Sequence, residues 1–411
     1  PKHQYSKFKK PVNKGPVAMP IINRIAEFHE QMTAWRRDLH AHPELGFEEQ
    51  RTAAFVAREL ESYGIEVHRG IATTGVVGVL RGDGAANGKV GAIGLRADMD
   101  ALPMQELNTF AHASKNAGKM HACGHDGHTT MLLGAAKYLA ETRNFSGTVN
   151  FIFQPAEEGL GGGKVMLEEG LLDRFPCDEI YGLHNWPQLP QGEMGMIPGP
   201  IMAASDTFDI EIITKGGHAA MPHHSIDPAV IAAHIITATQ TIASRRVDPL
   251  DNVVVSITRV EVGSAYNVIA AGGWLRGTFR TFREDTRRMT GELIASIAEQ
   301  VAGALGGKAI PDIHYRYPPT VNTIEQTAFA ADVARELVGE QRLRTDVLPS
   351  MGGEDFSYML EQKPGCYVWL GAGVGDEPVN VHHPAYDFND EILPIGSSYL
   401  ARLVETAMPR S

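Results

Sequence analysis

Thr148-Val149-Asn150-Phe151-Ile152-Phe153-Gln154-Pro155-Ala156-Glu157-Glu158 is an almost unbroken apolar run that stops at a proline and then presents two adjacent carboxylates. Its length, its Val, Ile and Phe content and the turn signal behind it predict a strand buried on both faces. Beyond it, residues 163–170 have helical texture, and the apolar run 179–183 reads as a strand ending at His184. Upstream, Met131, Leu132, Ala135, Ala136 and Leu139 recur at helical spacing, predicting a helix over 129–142. Residues 75–80 and 91–97 read as strands, the second stopping at Asp98-Met99-Asp100. Strands alternating with helices predict an α/β fold with a mixed, mostly parallel sheet. Such sheets bind ligands beyond the carboxyl ends of their strands. Asp98 and Asp100, Glu157 and Glu158, and His184 fall at three such ends.

The texture changes between residues 205 and 317. A strand (207–214), a helix opened by Asp227-Pro228 and running to about 245, and strands at 252–259 and 274–282 are followed by a helix opened by Asp285 and a strand at 312–317. That β-α-β-β-α-β order is the ferredoxin-like pattern. Asp227 is a good N-cap and Pro228 suits the first helical position. Ile231, Ile235, Ala238 and Ile242 form one apolar stripe; Met289, Leu293, Ile297 and Val301 form the other. Residues 326–339 (helix), 366–371 (strand) and 395–407 (helix) then restore the α/β texture. The expected organisation is a catalytic domain of residues 19–204 and 318–411 with an inserted lid or dimerisation domain, 205–317. Two helices, broken at His42-Pro43, fill 19–63, with His40 and His42 making cap and turn contacts. Residues 1–18, Lys-rich and without an apolar core, are expected to be a disordered arm or a cloning remnant.

Bulk properties remove several functions. A net charge of −12 over 411 residues excludes the basic surface that a nucleic-acid partner requires. Without an apolar run of 18 residues there is no membrane span. Three widely spaced cysteines, Cys123, Cys177 and Cys366, make a poor disulfide framework and fit a reducing cytoplasm.

The chemistry concentrates in Met120-His121-Ala122-Cys123-Gly124-His125-Asp126-Gly127-His128, where a thiol, three imidazoles and a carboxylate crowd nine residues. These groups hold transition metals. One loop rarely supplies so many ligands, so some of the four thiol and imidazole groups are structural, and Asp126 also suits the N-cap of the next helix. Adjacent glutamates point in different directions, so Glu157 and Glu158 can divide ligand and base roles, although an acidic turn is often merely solvated. His184, His382 and His383 are further imidazole sources. Gly216-Gly217-His218 ends the first strand of the insertion. Arg280 could clamp a carboxylate, with Arg276 on the same face as a decoy. Two rivals stand beside metal-assisted hydrolysis: a Cys123 thiol nucleophile with His125 or His128 as base, and a metal-binding sensor on a retired hydrolase fold.

With these residues in view, the chain resembles the metal-dependent amidohydrolases that include aminoacylases, carboxypeptidase G, hippurate hydrolases and plant auxin-conjugate hydrolases, the last two above all. The markers are Arg96 to Pro103, Met120 to His125, Gln154 to Glu158, Gly182 to His184, Gly217 to His223, Gly277 to Thr281 and Met351 to Phe356. The resemblance implies two divalent ions per subunit (Zn, Mn, Ni or Co) held by Cys123, His125, Glu158, His184 and His382. It makes Glu157 the catalytic base and Asp100 the carboxylate orienting a ligand from behind. His218 would reach a partner subunit's active site and steady the oxyanion. Asn267 and Arg280 would bind substrate, Arg280 through the free carboxylate of an N-acyl amino acid. Ala270 departs from the pattern, since relatives usually carry proline there. A homodimer through the insertion is implied, as is a choice between N-acyl amino acid hydrolysis and a dipeptidase or diaminopimelate-type deacetylase on the same scaffold.

Overall fold

The apolar run that decided the fold is a strand buried along all but its first residue. The computed structural model describes residues 21–83 and 90–410; the arm expected at 1–18 lies outside them. In chain order the first half runs α1 (His29–Ala41), α2 (Gln50–Ser62), β1 (Glu66–Ile71), β2 (Gly75–Arg81), β3 (Ala92–Asp98), α3 (His125–Thr142), β4 (Thr148–Gln154), α4 (Gly162–Glu168), β5 (Glu179–Pro190) and β6 (Met194–Gly195). Then come β7 (Ser205–Ile213), β8 (Gly217–His218), α5 (Pro228–Thr239), β9 (Val253–Val262), β10 (Val268–Ile269), β11 (Gly272–Thr281), α6 (Glu284–Ala304) and β12 (Lys308–Tyr317). The chain closes with α7 (Ile324–Val338), β13 (Leu343–Arg344), α8 (Ser357–Gln362), β14 (Gly365–Gly373) and α9 (Leu393–Ala407).

Eight strands form one sheet in the order β1-β2-β4-β3-β5-β14-β6-β13. Its centre is parallel, β3 pairing with β4 and β5, and β5 with β14. Its β1-β2-β4 edge is antiparallel. Alternate residues of β14 feed two cores: Cys366, Val368 and Leu370 join the helices α1, α2, α3, α7 and α9, while Tyr367 and Trp369 join Met166, Phe356 and Met359 on the other face. That two-sided burial, at roughly 2 kcal/mol per large apolar side chain, is why the central strands show no polar alternation.

The second sheet is antiparallel throughout, in the order β9-β11-β7-β12, with α5 and α6 on one face. β7 alternates buried and half-exposed residues, as a sheet covered on one side must. Asp227 accepts the Ala229 N–H at 2.8 Å and Pro228 opens α5. Two details differ from the sequence reading. α5 ends at Thr239, and a wider turn, Ile242–Arg246, follows it. On α6 the fully buried apolar side chains are Ile294, Ala298 and Ala302, with Met289, Leu293, Ile297 and Val301 only partly buried beside them. Two small alanines let the helix sit closer to the sheet than the larger residues would.

Two other boundaries matter for the site. The helix expected at Thr129 begins at His125, because Gly124 takes a left-handed φ of 102° and serves as the N-cap in place of Asp126. β5 does not stop at His184 but continues to Pro190 along β14. His184 still faces the rim, because β3 pairs with β5 only as far as Arg96 and Gly182.

Candidate metal centre

Beyond the carboxyl ends of β3 and β4, where β5 runs on past Gly182, the ligand atoms of Cys123, His125 and His184 lie within 4.8 Å of one another, and so do those of Cys123, Glu158 and His382. The sulfur belongs to both groups. Cys123 Sγ is 3.4 Å from His184 Nε2, and His382 Nε2 is 3.2 Å from Glu158 Oε1. All five residues except His125 line a cleft of about 590 Å³ that also contains Glu157 and Arg280.

Backbone held in a costly conformation builds this cluster. Gly124, at φ 102°, separates Cys123 from His125, and a Cβ there would meet Asn185 Oδ1 at 2.1 Å. Ala156 (φ 55°) directly precedes Glu157, and His382 has φ 63°. Such positions cost about 1 kcal/mol or more each outside glycine, and persist where the surroundings enforce them. Here the enforcement is visible. His382 N–H donates to Ala122 O at 2.7 Å. Ala156 N–H donates to Glu49 Oε1 at 2.8 Å, and Thr74 Oγ1 to Glu49 Oε2 at 2.5 Å. Asp100 accepts the N–H groups of Glu157 and Glu158 at 3.0 and 2.9 Å.

Hydrogen bonding separates the imidazoles. His184 Nδ1 sits 2.7 Å from Asn185 O, to which it donates, leaving Nε2 an acceptor aimed at Cys123. His125 Nδ1 faces Asp100 Oδ1 at 3.3 Å. Among the described residues, His125 Nε2 and Glu158 Oε1 are buried with no well-aligned hydrogen bond, the 3.2 Å approach of His382 Nε2 to Glu158 included. Unpaired buried acceptors are unfavourable, and a cation between them removes that cost. Burial first, and then the Glu158 carboxylate, push the Cys123 thiol up; a thiolate there calls for a cation too. The same shift argues against Cys123 as a free nucleophile. The donor set therefore fits divalent ions. His128, in contrast, uses both nitrogens, facing Asp98 Oδ1 at 2.6 Å and accepting the Asn185 N–H at 3.0 Å.

Other expected residues fall elsewhere. His40 does more than cap: it is fully buried, Nδ1 2.8 Å from Asp126 and Nε2 3.2 Å from Glu106. Against the effect of burial, these partners raise it to about 9. His121 is buried with neither ring nitrogen paired, and burial lowers it to about 4. His218 and Asn267 are exposed on the β8–β10 ribbon, where His218 pairs with Val268, and neither lines the cleft. Arg276, on the same face as Arg280, is tied to Asp209 and Glu261. Arg280 has no ion-pair partner among the described residues, and burial lowers its proton affinity.

Beneath Glu157 lies a charged floor. Buried Arg96 donates to Gln154, Asp98, Glu354 and Asp355 at 2.7–3.0 Å. Burial first, then Glu354, Glu158 and Asp355, hold Glu157 well above the usual carboxylate range. A lone arginine inside an apolar strand was a legible signal for this floor. Glu49, within a Glu48-Glu49 pair that reads as a solvated turn, gave none.

Residues 94–406 match the model of peptidase family M20/M25/M40. The chain is 42% identical over 385 residues to a hippurate hydrolase of Campylobacter jejuni, covering 94% of this chain and 98% of that one. It is 42% identical over 378 residues to an N-acetylcysteine deacetylase of Bacillus subtilis, with 92% and 96% covered. A Bacillus subtilis structure described as a dinuclear metal-binding peptidase of the M20 family superposes with a TM-score of 0.80 at 37% identity, over 93% of this chain and 99% of that one. The chain belongs to peptidase family M20/M25/M40, and it is a metal-binding amidohydrolase. No helix among the described residues is long and apolar enough to cross a membrane.

Proposed function

We propose that this enzyme cleaves the amide bond of N-acyl amino acids, releasing a carboxylic acid and an amino acid. The observation that carries the reading is the meeting, in one cleft, of the Cys123-centred ligand cluster, a buried Glu157 of raised proton affinity and an Arg280 without an acidic partner. Cys123, His125, His184, Glu158 and His382 would hold two divalent ions of the Zn, Mn, Ni or Co group. Bound there, such ions supply Lewis acidity to the water and the acyl carbonyl. Glu157 takes the proton of the attacking water and returns it to the departing nitrogen, a task suited to a carboxylate whose proton affinity is raised by burial and by neighbouring acids. Asp100 fixes the His125 ring and the Glu157-Glu158 backbone together. Arg280 binds the substrate's free carboxylate as a charge-assisted fork.

The inserted sheet, residues 205–317, serves as the lid and dimerisation unit. The exposure of His218 outside its own cleft supports a role in the cleft of a second copy, where it steadies the oxyanion, and Asn267 binds substrate. Three buried free thiols fit a reducing cytoplasm.

The test is metal analysis of the purified protein and of Glu157→Gln, followed by assay on hippurate and N-acetyl amino acids with added Mn, Co, Ni or Zn. The expected result is about two ions in both proteins, turnover in the first only, and loss of turnover in EDTA. Full activity of Glu157→Gln, or no hydrolysis anywhere in the panel, rejects the reading.

A further inference from the structure

The last residue of the inserted sheet touches the loop that carries the base. Tyr317 ends β12, where the chain leaves the insertion. Its hydroxyl donates to Glu157 O at 2.6 Å and accepts the Gly161 N–H at 2.9 Å. One group thus closes both ends of the 157–161 loop. The neighbouring Arg316 adds a third tie, Nη1 to Gly159 O at 3.3 Å.

The strand itself is anchored. Asp206, at the start of β7, accepts the Arg316 N–H at 2.7 Å and both forks of Arg287 at 2.7 Å. The two crossings between the sheets are thereby joined, and the exit strand presents Tyr317 from a fixed support. From the other side, Tyr358 of α8 donates its hydroxyl to Arg316 O.

The loop carries two backbone bonds of its own, Gly159 N–H to Glu157 O at 2.7 Å and Gly162 N–H to Ala156 O at 2.9 Å, yet it is built on unfavourable backbone. Its entrance, Ala156, is left-handed, and Gly161 also has a positive φ of 73° while its N–H is buried. Asp100 fixes the amides of Glu157 and Glu158 but nothing further along. The Glu157 carboxylate has only a long contact of its own, 3.3 Å from the Asp355 N–H, so its place depends on the backbone beneath it.

We infer that Tyr317 is a positioning residue for Glu157: its hydroxyl, presented by the exit strand of the inserted sheet, sets the backbone from which the base reaches the cleft. The inference rests on the base role proposed above. The ring of Tyr317 lines the cleft, but its hydroxyl is engaged by two backbone groups of the loop, so the hydroxyl is taken up in orienting the base.

Tyr317→Phe tests this, because it keeps the ring and removes both bonds. The expected result is a fall of kcat of about tenfold or more, since small displacements of a reacting group are costly. KM, bound metal and Tm should stay near those of the parent. Tyr358→Phe is the control: it removes a hydroxyl of α8 that bonds to the same strand without touching the loop, and should keep kcat within about twofold. Unchanged kcat in Tyr317→Phe overturns the inference. So does a loss matched by lost metal, which would assign Tyr317 to holding Glu158, or an equal loss in Tyr358→Phe, which would assign it to strand packing. Glu157→Gln, assayed alongside, separates the two readings. If it is inactive while Tyr317→Phe is normal, only the positioning role fails; if it is active, the base role fails first.

Discussion

Asp100 stands behind His125, its Oδ1 3.3 Å from the imidazole Nδ1. The same carboxylate grips the Glu157 and Glu158 amides, one with each oxygen. An asparagine offers one acceptor oxygen where two are used, so Asp100→Asn sets an amide N–H against a backbone N–H. Supports behind metal ligands typically contribute 10- to 100-fold in affinity. We expect a loss of that order for Asp100→Asn in chelator competition; parental affinity would refute the orienting role.

Arg280→Ala should raise KM for N-acyl amino acids about 10- to 100-fold, the range of a charge-assisted hydrogen bond lost from a half-buried site. The matching substrates with the carboxylate blocked as an amide should be unaffected. Equal losses on both series would mean that Arg280 shapes the cleft without reading charge.

His218→Ala and Glu157→Gln should each be inactive alone, yet regain activity when co-expressed as a mixed oligomer. Such an assembly holds one cleft with its own Glu157 and a partner's intact His218. No recovery in mixed assemblies of verified composition would confine His218 to its own chain.

His40 titrates at about 9 in the fold against 6.5 when free. A raised value means that protonated His40 stabilises the fold. The contribution is complete below pH 6.5 and disappears as pH rises through 9. His40→Gln should therefore cost about 3 kcal/mol at pH 6 and progressively less towards pH 9.5. Urea unfolding of both proteins across that range checks it, and a pH-independent difference would exclude the charged pair.

Much of this was legible because its signals are local. The apolar β4 run, the Asp227-Pro228 start and the β-α-β-β-α-β order each follow from a few neighbouring side chains, and the rim followed from strands ending in acids. The positions that escaped depend on backbone geometry or on distant partners. Nothing near Asp126 announces that Gly124 will cap the helix, since that depends on Asn185, which leaves no room for a Cβ. His40 looked like a turn residue because Asp126 lies 86 positions away. The roles of His121 and His128, alike in sequence, are separated only by which ring nitrogens find partners.

The sharing of one sulfur between two ligand groups also orders events during synthesis. Cys123, His125, Glu158 and His184 emerge early, but His382 follows almost 200 residues later, after the whole intervening sheet. The first group can assemble on a nascent chain; the second awaits His382. Because ion binding and folding draw on the same free energy, full metal loading would await His382 and would fail in any product truncated before β14 and the segment behind it.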